Sequence, residues 1–284
     1  MPSVTIIMRS MNDIDIIETT IKSILKQSFK DFEILNVDSG STDGTFEIVK
    51  KYNPDNSYQI KAEDYVPGKV LNNAIKKCRG DIIVFNNSDC IPLNDNWLEA
   101  LIKPLMSEGG VVASFGNQVP RKNARPLVVK DNVRAFGDGK ISSGWRHFFS
   151  LATSAVRKSV LEQYPFNPDI QYSEDIEWSY RIKQMGLKIQ YVPEAMVEHS
   201  HNYTLKEVKK RFFNEGLADG QIYKEGHDFF AMFAKPLLVE ILRDSLYLLK
   251  RGAIFAIPYG VIYRFIQKYS YYKGRISYDN SKKE

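Results

Sequence analysis

The chain is short of the features that mark several protein classes. Only two of its 284 residues are cysteine, Cys78 and Cys90. That is too few, at the wrong spacing, for a disulfide framework or a cysteine metal cluster, and it fits a reducing compartment. No apolar run reaches the ~18 charge-free residues that a membrane-spanning helix needs. The start, Met1-Pro2-Ser3-Val4, has neither the basic region nor the apolar core of a secretory signal. Charge of one sign is scarce too: 39 Lys and Arg against 34 Asp and Glu leave a net +5. Such an excess suits diphosphates or acidic lipid surfaces and falls short of a nucleic-acid surface. Repeats and low-complexity tracts are lacking, and only the tail 281–284 reads as disordered. These features predict a cytoplasmic protein with no nucleic-acid partner.

What is present is a hydrophobic fraction of 43%, ample for a large core. In the first half two periodicities alternate. Residues 4–8 form a β-branched run that predicts a buried strand, and Ile17, Ile21, Ile24 and Leu25 recur at helical spacing within 14–26. A strand is expected at 32–37, a helix at 45–52 with Thr42 and Asp43 near its cap, a helix at 70–77 and a buried strand at 82–85. This order predicts a mostly parallel sheet with helices on both faces. Ligands of such sheets bind beyond the carboxyl ends of the strands. Arg9-Ser10, Asp38-Ser39 and Asn87-Ser88-Asp89 each directly follow a strand.

Residues 109–144 are rich in Gly, Arg and Asn and read as loops. Helices are expected at 151–164 and 173–185, and short strands at 188–191 and 195–198. Beyond His227 an apolar stretch is interrupted by Lys, Arg, Glu and Asp, and 254–272 is rich in aromatics. This tail has two compatible readings. One is a helical subdomain packed on the sheet or on a second copy in a homodimer. The other is a helix lying on a membrane surface.

Four groups of residues carry chemistry. Asp38 and Asp43 lie in a turn, where Asp also occurs simply because it makes turns. Asp89 can cap a helix or hold a divalent ion against a diphosphate, because magnesium and manganese take oxygen ligands shared between carboxylates and phosphates. Glu174 and Asp175 follow Ser173, a suitable helix N-cap. Asp175 and Trp178, at i and i+3, put a carboxylate and a flat ring on one face, a combination suited to sugars. Glu174 beside Asp175 favours protonation of one of the pair, a way to tune a base. His199 and His201 would face one side of an extended segment and can ligate a metal. His147 and His227 have no such company.

In order, these segments resemble a known family. They include Ile6-Ile7-Met8-Arg9-Ser10-Met11-Asn12-Asp13, then Asn36-Val37-Asp38-Ser39-Gly40-Ser41-Thr42-Asp43-Gly44. Pro67-Gly68-Lys69, Arg79-Gly80-Asp81 and Asp89-Cys90-Ile91-Pro92 continue the series. Ser173-Glu174-Asp175 and His199-Ser200-His201-Asn202-Tyr203 close it. Over 4–216 the chain resembles the inverting glycosyltransferases of family two with the GT-A fold, in particular their rhamnosyltransferase-like branch. The resemblance implies a Rossmann-like catalytic domain, taken over 1–226, and the apolar pattern beyond it a C-terminal helical region over 227–284. It implies transfer of a sugar, rhamnose by its branch, from a nucleotide-diphosphate donor. The acceptor would be a hydroxyl of a bacterial-type surface polysaccharide or lipid-linked glycan, met at the inner face of the cell membrane.

By the same resemblance Asp38 meets the base or ribose, with Arg9, Lys69, Asn72 and Ser88 in that pocket. Asp89 binds a magnesium or manganese ion on the diphosphate, with His199 or, in its place, His201 as second ligand. Asp175 is the general base, and Glu174 positions it or the acceptor. Asn87-Ser88-Asp89 departs from the Asp-x-Asp pair of many relatives, and a neutral amide leaves the ion fewer anionic ligands. Thr153-Ser154 also replaces an amide residue often found before Ala155. Two other classes fit less well. A non-catalytic nucleotide-sugar-binding module would have lost Asp89, Asp175 and His199. A sugar nucleotidyltransferase would want a Gly-rich basic phosphate loop after the first strand, where Arg9-Ser10-Met11-Asn12 stands.

Overall fold

A computed structural model describes residues 1–107, 109–145, 147–223 and 228–280. The chain divides into two compact units: Met1–Lys122 with Asn132–Ser200, and Asn123–Asp131 with His201–Glu284. The boundary expected at 226/227 lies outside the described residues.

The first unit opens with β1 (Val4–Ser10), α1 (Ile17–Leu25), β2 (Phe32–Asp38), α2 (Thr45–Tyr52), β3 (Ser57–Gln59), α3 (Pro67–Lys77) and β4 (Ile82–Asn86). β1 pairs in parallel with β2 and β4, and β2 with β3. Alternate residues of β1 go to opposite faces. Val4, Ile6 and Met8 pack with Ile17, Ile21 and Ile24 of α1, whereas Ile7 packs with Leu71 and Ile75 of α3. Burial on both faces is why the strand reads as a continuous apolar run.

β5 (Ile91–Pro92), α4 (Trp97–Met106), β6 (Val111–Val119), α5 (Pro126–Ala135) and α6 (Lys140–Ser143) follow. They lead into β7 (Thr153–Arg157), α7 (Lys158–Gln163), α8 (Glu174–Gln184) and β8 (Lys188–Glu198). The described residues form one eight-stranded sheet in the order β3-β2-β1-β4-β7-β6-β8-β5. β7 runs antiparallel to β4 and β6, β5 antiparallel to β8, and β6 parallel to β8. The mostly parallel α/β sheet expected of a GT-A fold is therefore present, with antiparallel strands in its second half.

Three local expectations need correction. Residues 109–144 contain the nine-residue β6 and helices α5 and α6 rather than loops alone. The strand is buried at nearly every position, so it shows no alternation, and Gly116-Asn117 imitates a turn. Residues 151–164 hold a strand and a short helix rather than one helix. The two short strands expected at 188–198 are one strand whose register with β6 skips between Val192 and Met196. Gly116 sits at that irregularity because a Cβ there would run into the Ala195 carbonyl.

The second unit contains α9 (Leu205–Tyr223), a π-helical turn (Phe230–Ala234) leading into α10 (Lys235–Lys250), and α11 (Ile257–Asn280). α9 and α11 touch backbone to backbone: a Cβ on Gly216 would meet the Tyr271 carbonyl. A buried ionic network ties the unit together. Asp244 bonds Lys130 and Arg264 (2.7 Å), and Arg264 also reaches Asp131 (2.8 Å). Among the described residues no helix is long and apolar enough to cross a membrane.

Candidate active site

Three strands of the first unit end at one place. β4 delivers Asn87-Ser88-Asp89, β8 delivers His199, and β6 leads to Arg121. His199 Nε2 stands 3.3 Å from Asp89 Oδ2. Its Nδ1 is 2.7 Å from Gln118 Oε1, while Gln118 Nε2 donates to Ser150 Oγ (2.9 Å). Gln118 thus holds the ring with its Nε2 edge toward Asp89. Asp89, Cys90 and His199 form the one cluster of potential ligand atoms among the described residues.

The donor set suits a hard divalent ion: a carboxylate oxygen and an imidazole nitrogen, 3.3 Å apart, as two ligands of one ion stand. Cys90 is the odd member. Burial, reinforced by Asp89, pushes its thiol well above its ordinary value. It stays protonated, with Sγ 3.8 Å from Asp89 Oδ1, and orients that carboxylate rather than offering a thiolate.

Arg9, at the end of β1, joins this corner to a second one. Its Nε and Nη2 donate to Asn87 Oδ1 (3.3 and 3.2 Å), and its Nη1 donates to Glu174 Oε1 (2.9 Å) and Tyr65 Oη (3.3 Å). The amide at 87 therefore serves Arg9. Burial opposes the arginine's charge, but Tyr65 and Glu174 outweigh it, so Arg9 stays protonated.

Asp175 begins α8 beside Glu174. Burial first, and the Glu174 charge second, push its carboxyl up to about 7. Bonds from the Leu151 and Ile176 amides (3.3 and 2.8 Å) and the charge of Arg9 pull the other way. The two corners adjoin, because Ala152, next to Leu151, accepts from the Asn87 amide (3.1 Å). Ser173 stands at the N-cap position, yet its side chain makes no capping bond, and its φ of 61° is left-handed. A strained residue directly before Glu174-Asp175 fits a backbone shaped for the site.

The other sequence-predicted residues are placed as follows. Ser88 is buried and bonds Asp13, which also accepts from the Met11 amide (3.1 Å). Asp38 is fully buried, and its carboxylate accepts five bonds from Ser10, Gly40, Ser41 (amide and hydroxyl) and Gln59, so it organises the loop after β2. Asn72 exchanges bonds with the Phe166 backbone (2.8 and 3.0 Å), and Lys69 is exposed on the first turn of α3. Trp178 corrects an expectation: it is 0% exposed, packs on Phe149 and Phe166 and donates to the Tyr164 carbonyl (2.8 Å). It belongs to the core, because its face of α8 meets the sheet. His201 belongs to the second unit and stacks on Tyr203. The alternation expected to align it with His199 ends with β8 at Glu198.

Sequence reasoning missed Arg121. Its Nη2 donates to the Asp89 carbonyl (2.9 Å) and lies 3.9 Å from Asp89 Oδ2, while its buried Nε has no hydrogen-bond partner. An arginine in a stretch read as loop gave no signal. Gln118 was hidden for the same reason. Asp13 lay within the opening motif but was given no role.

A carboxyl group with a raised pKa near a candidate cation corner, at the carboxyl ends of a mixed α/β sheet, is an arrangement suited to group transfer. Residues 5–165 match glycosyl transferase family 2. The O-antigen chain rhamnosyltransferase RfbN of Salmonella typhimurium is 28% identical over 75% of this chain and 71% of its own length. The O-antigen chain rhamnosyltransferase WbaN of Salmonella anatum is 31% identical over 68% of this chain and 64% of its own length. In fold the chain is similar to the mannosyltransferase PcManGT of Pyrobaculum calidifontis, solved with GDP-Man and Mn2+. That likeness has a TM-score of 0.69 at 19% identity and covers 99% of this chain and 88% of that one. The chain belongs to glycosyl transferase family 2 and is rhamnosyltransferase-like within it.

Proposed function

We propose that the protein is an inverting, metal-dependent glycosyltransferase with Asp175 as general base. The transferred sugar is rhamnose, as its relatives' names suggest. The donor is a nucleoside-diphosphate sugar, and the acceptor a hydroxyl of a surface-polysaccharide or lipid-linked glycan. The observation that carries this reading is the carboxyl of Asp175, raised to about 7 beside the Asp89–His199 corner. A hydroxyl is a poor nucleophile, and a base with a pKa near the working pH is best matched to remove its proton.

Asp175 takes the acceptor proton as the oxygen attacks the anomeric carbon. The carbon–oxygen bond to the diphosphate breaks on the opposite face, and its electron pair leaves with the nucleoside diphosphate. Arg121, whose guanidinium lies against Asp89, would place positive charge near the leaving group. Asp89 and His199 would hold the magnesium or manganese ion, which when bound supplies Lewis-acid stabilisation to the leaving group. Arg9 and Glu174 hold the two corners in register. Arg9 and exposed Lys69 border the nucleotide, while Asn72 and the buried Ser88 and Asp38 hold the loops that shape its pocket.

Product analysis with a donor panel and manganese tests this. The expected products are a nucleoside diphosphate and a glycoside of inverted configuration. Pyrophosphate release, or donor binding without turnover across the panel, would reject the reading. We further infer that the protein acts at a membrane surface through the second unit, where Leu238, Leu242, Leu246, Leu249, Ile254 and Phe255 are exposed.

A further inference from the structure

The second unit holds a pocket of about 280 Å³ lined by Leu127, Leu248, Ala256, Tyr259 and Tyr263, with Arg125 beside it. We propose that this pocket binds a hydrocarbon chain of a phosphate-bearing lipid, with Arg125 meeting the phosphate. This inference rests on the membrane-surface part of the functional reading above.

The walls decide the class of ligand. They are aliphatic and aromatic, with no carboxylate or amide side chain to read sugar hydroxyls. The volume lies at the small end for ligand pockets, and an apolar lining of this kind accepts hydrocarbon. The polar function is at the rim. Arg125 is exposed, and its Nη1 donates to the Tyr203 carbonyl (3.1 Å) and Tyr259 Oη (2.8 Å), which leaves other guanidinium donors for an anion.

The pocket continues into a surface of matching character. Leu248 and Ala256 line it, while their neighbours Leu249 and Phe255 lie outside, Phe255 at 99% exposure. Between 229 and 273 the only acidic residues are Glu240 and Asp244. Both engage Lys130, and Asp244 also engages Arg264. The exposed charges, Lys235, Arg243, Lys250, Arg251 and Lys273, are all positive. An apolar face fringed by one sign of charge complements an anionic leaflet. A second copy would bring like charges together.

The test uses the full chain and a polyprenyl phosphate with a diazirine at its chain terminus, beside the matching free alcohol. After irradiation, label should map to 125–131 and 248–263. Ala256→Trp fills the pocket and should cut labelling about tenfold. Gly260→Val does so from α11, where a Cβ would already approach Leu127 and Leu248, and serves if the first variant fails to fold. Arg125→Gln should weaken labelling by the phosphate and spare that by the alcohol. Label confined to 229–246 and indifferent to the filling variants overturns the proposal. So does labelling that falls with rising protein concentration, because a second copy then covers the pocket. Nucleoside-diphosphate binding with manganese, followed by thermal shift, should match wild type in all three variants. If wild type itself binds no donor, the transferase reading fails while the lipid pocket stands.

Discussion

Asp175 answers two opposed demands. As the proposed general base it would act ionised near neutral pH, and its surroundings resist ionisation. Asp175→Asn should lower kcat by about 10²–10⁴-fold, the usual contribution of a positioned base, and leave donor affinity unchanged in a binding titration. Turnover by wild type should fall as pH drops through about 7. Stability runs the other way. A carboxyl whose folded-state pKa is raised binds its proton more tightly folded than unfolded, so its penalty is nil below about pH 4 and complete above about 7. The asparagine variant should therefore melt above wild type at pH 8 and level with it at pH 4. Equal melting temperatures at pH 8 would show that Asp175 is not held under strain.

Arg121 makes a separate demand at the same scale. Arg121→Gln should weaken nucleoside-diphosphate binding about ten- to a hundred-fold, the worth of a charged hydrogen bond, with nucleoside and manganese binding unchanged. If manganese affinity falls in step, the arginine only positions Asp89. Asp89, His199, Glu174 and Asp175 could be singled out as candidates in the sequence because each follows an expected strand or begins a periodic helix. Arg121 and Gln118 were not, since they sit at the end of a strand that lacks alternation. Trp178 misled because i, i+3 spacing gives a shared face but not whether that face meets solvent or sheet.

Among the elements, β6 and β8 lead to Arg121 and His199 of the candidate metal corner, and Gly116 sets how closely the two strands approach. Gly116→Val would push against the Ala195 carbonyl and shift β8, the strand that delivers His199. We expect a stability loss of about 1–3 kcal/mol, typical of overpacking, and weaker manganese binding in a calorimetric titration. A variant that melts lower but binds manganese as wild type would disconnect the strand from the site. The strands and helices expected between 4 and 85 were readable to within a few residues because parallel strands and amphipathic helices alternate there, whereas β3, β5 and the helix α4 were not anticipated. The second half was harder: β7 is a central antiparallel strand that runs straight into α7, so one apolar stretch from 151 read as a helix. The skip in β8 at 193–195 likewise split one strand into two.

For the whole molecule, the proposed lipid-linked acceptor raises the question of how a membrane surface is reached when no helix among the described residues is long and apolar enough to span one. The exposed aliphatic face of α10 and the turn before α11 answer it if they enter the outer part of a leaflet. Attraction of their basic fringe to anionic lipid is screened within about 8–10 Å at physiological salt, whereas apolar insertion is not. Binding to phosphatidylglycerol vesicles should thus weaken with salt without vanishing. The double substitution Leu242→Lys and Phe255→Lys adds positive charge while removing apolar contact, so it separates the two contributions. We expect it to abolish vesicle sedimentation at high salt and keep part of it at low salt, with transfer to a soluble acceptor unchanged. Full sedimentation at high salt would mean that this face does not enter the leaflet, and the basic residues alone would not account for docking.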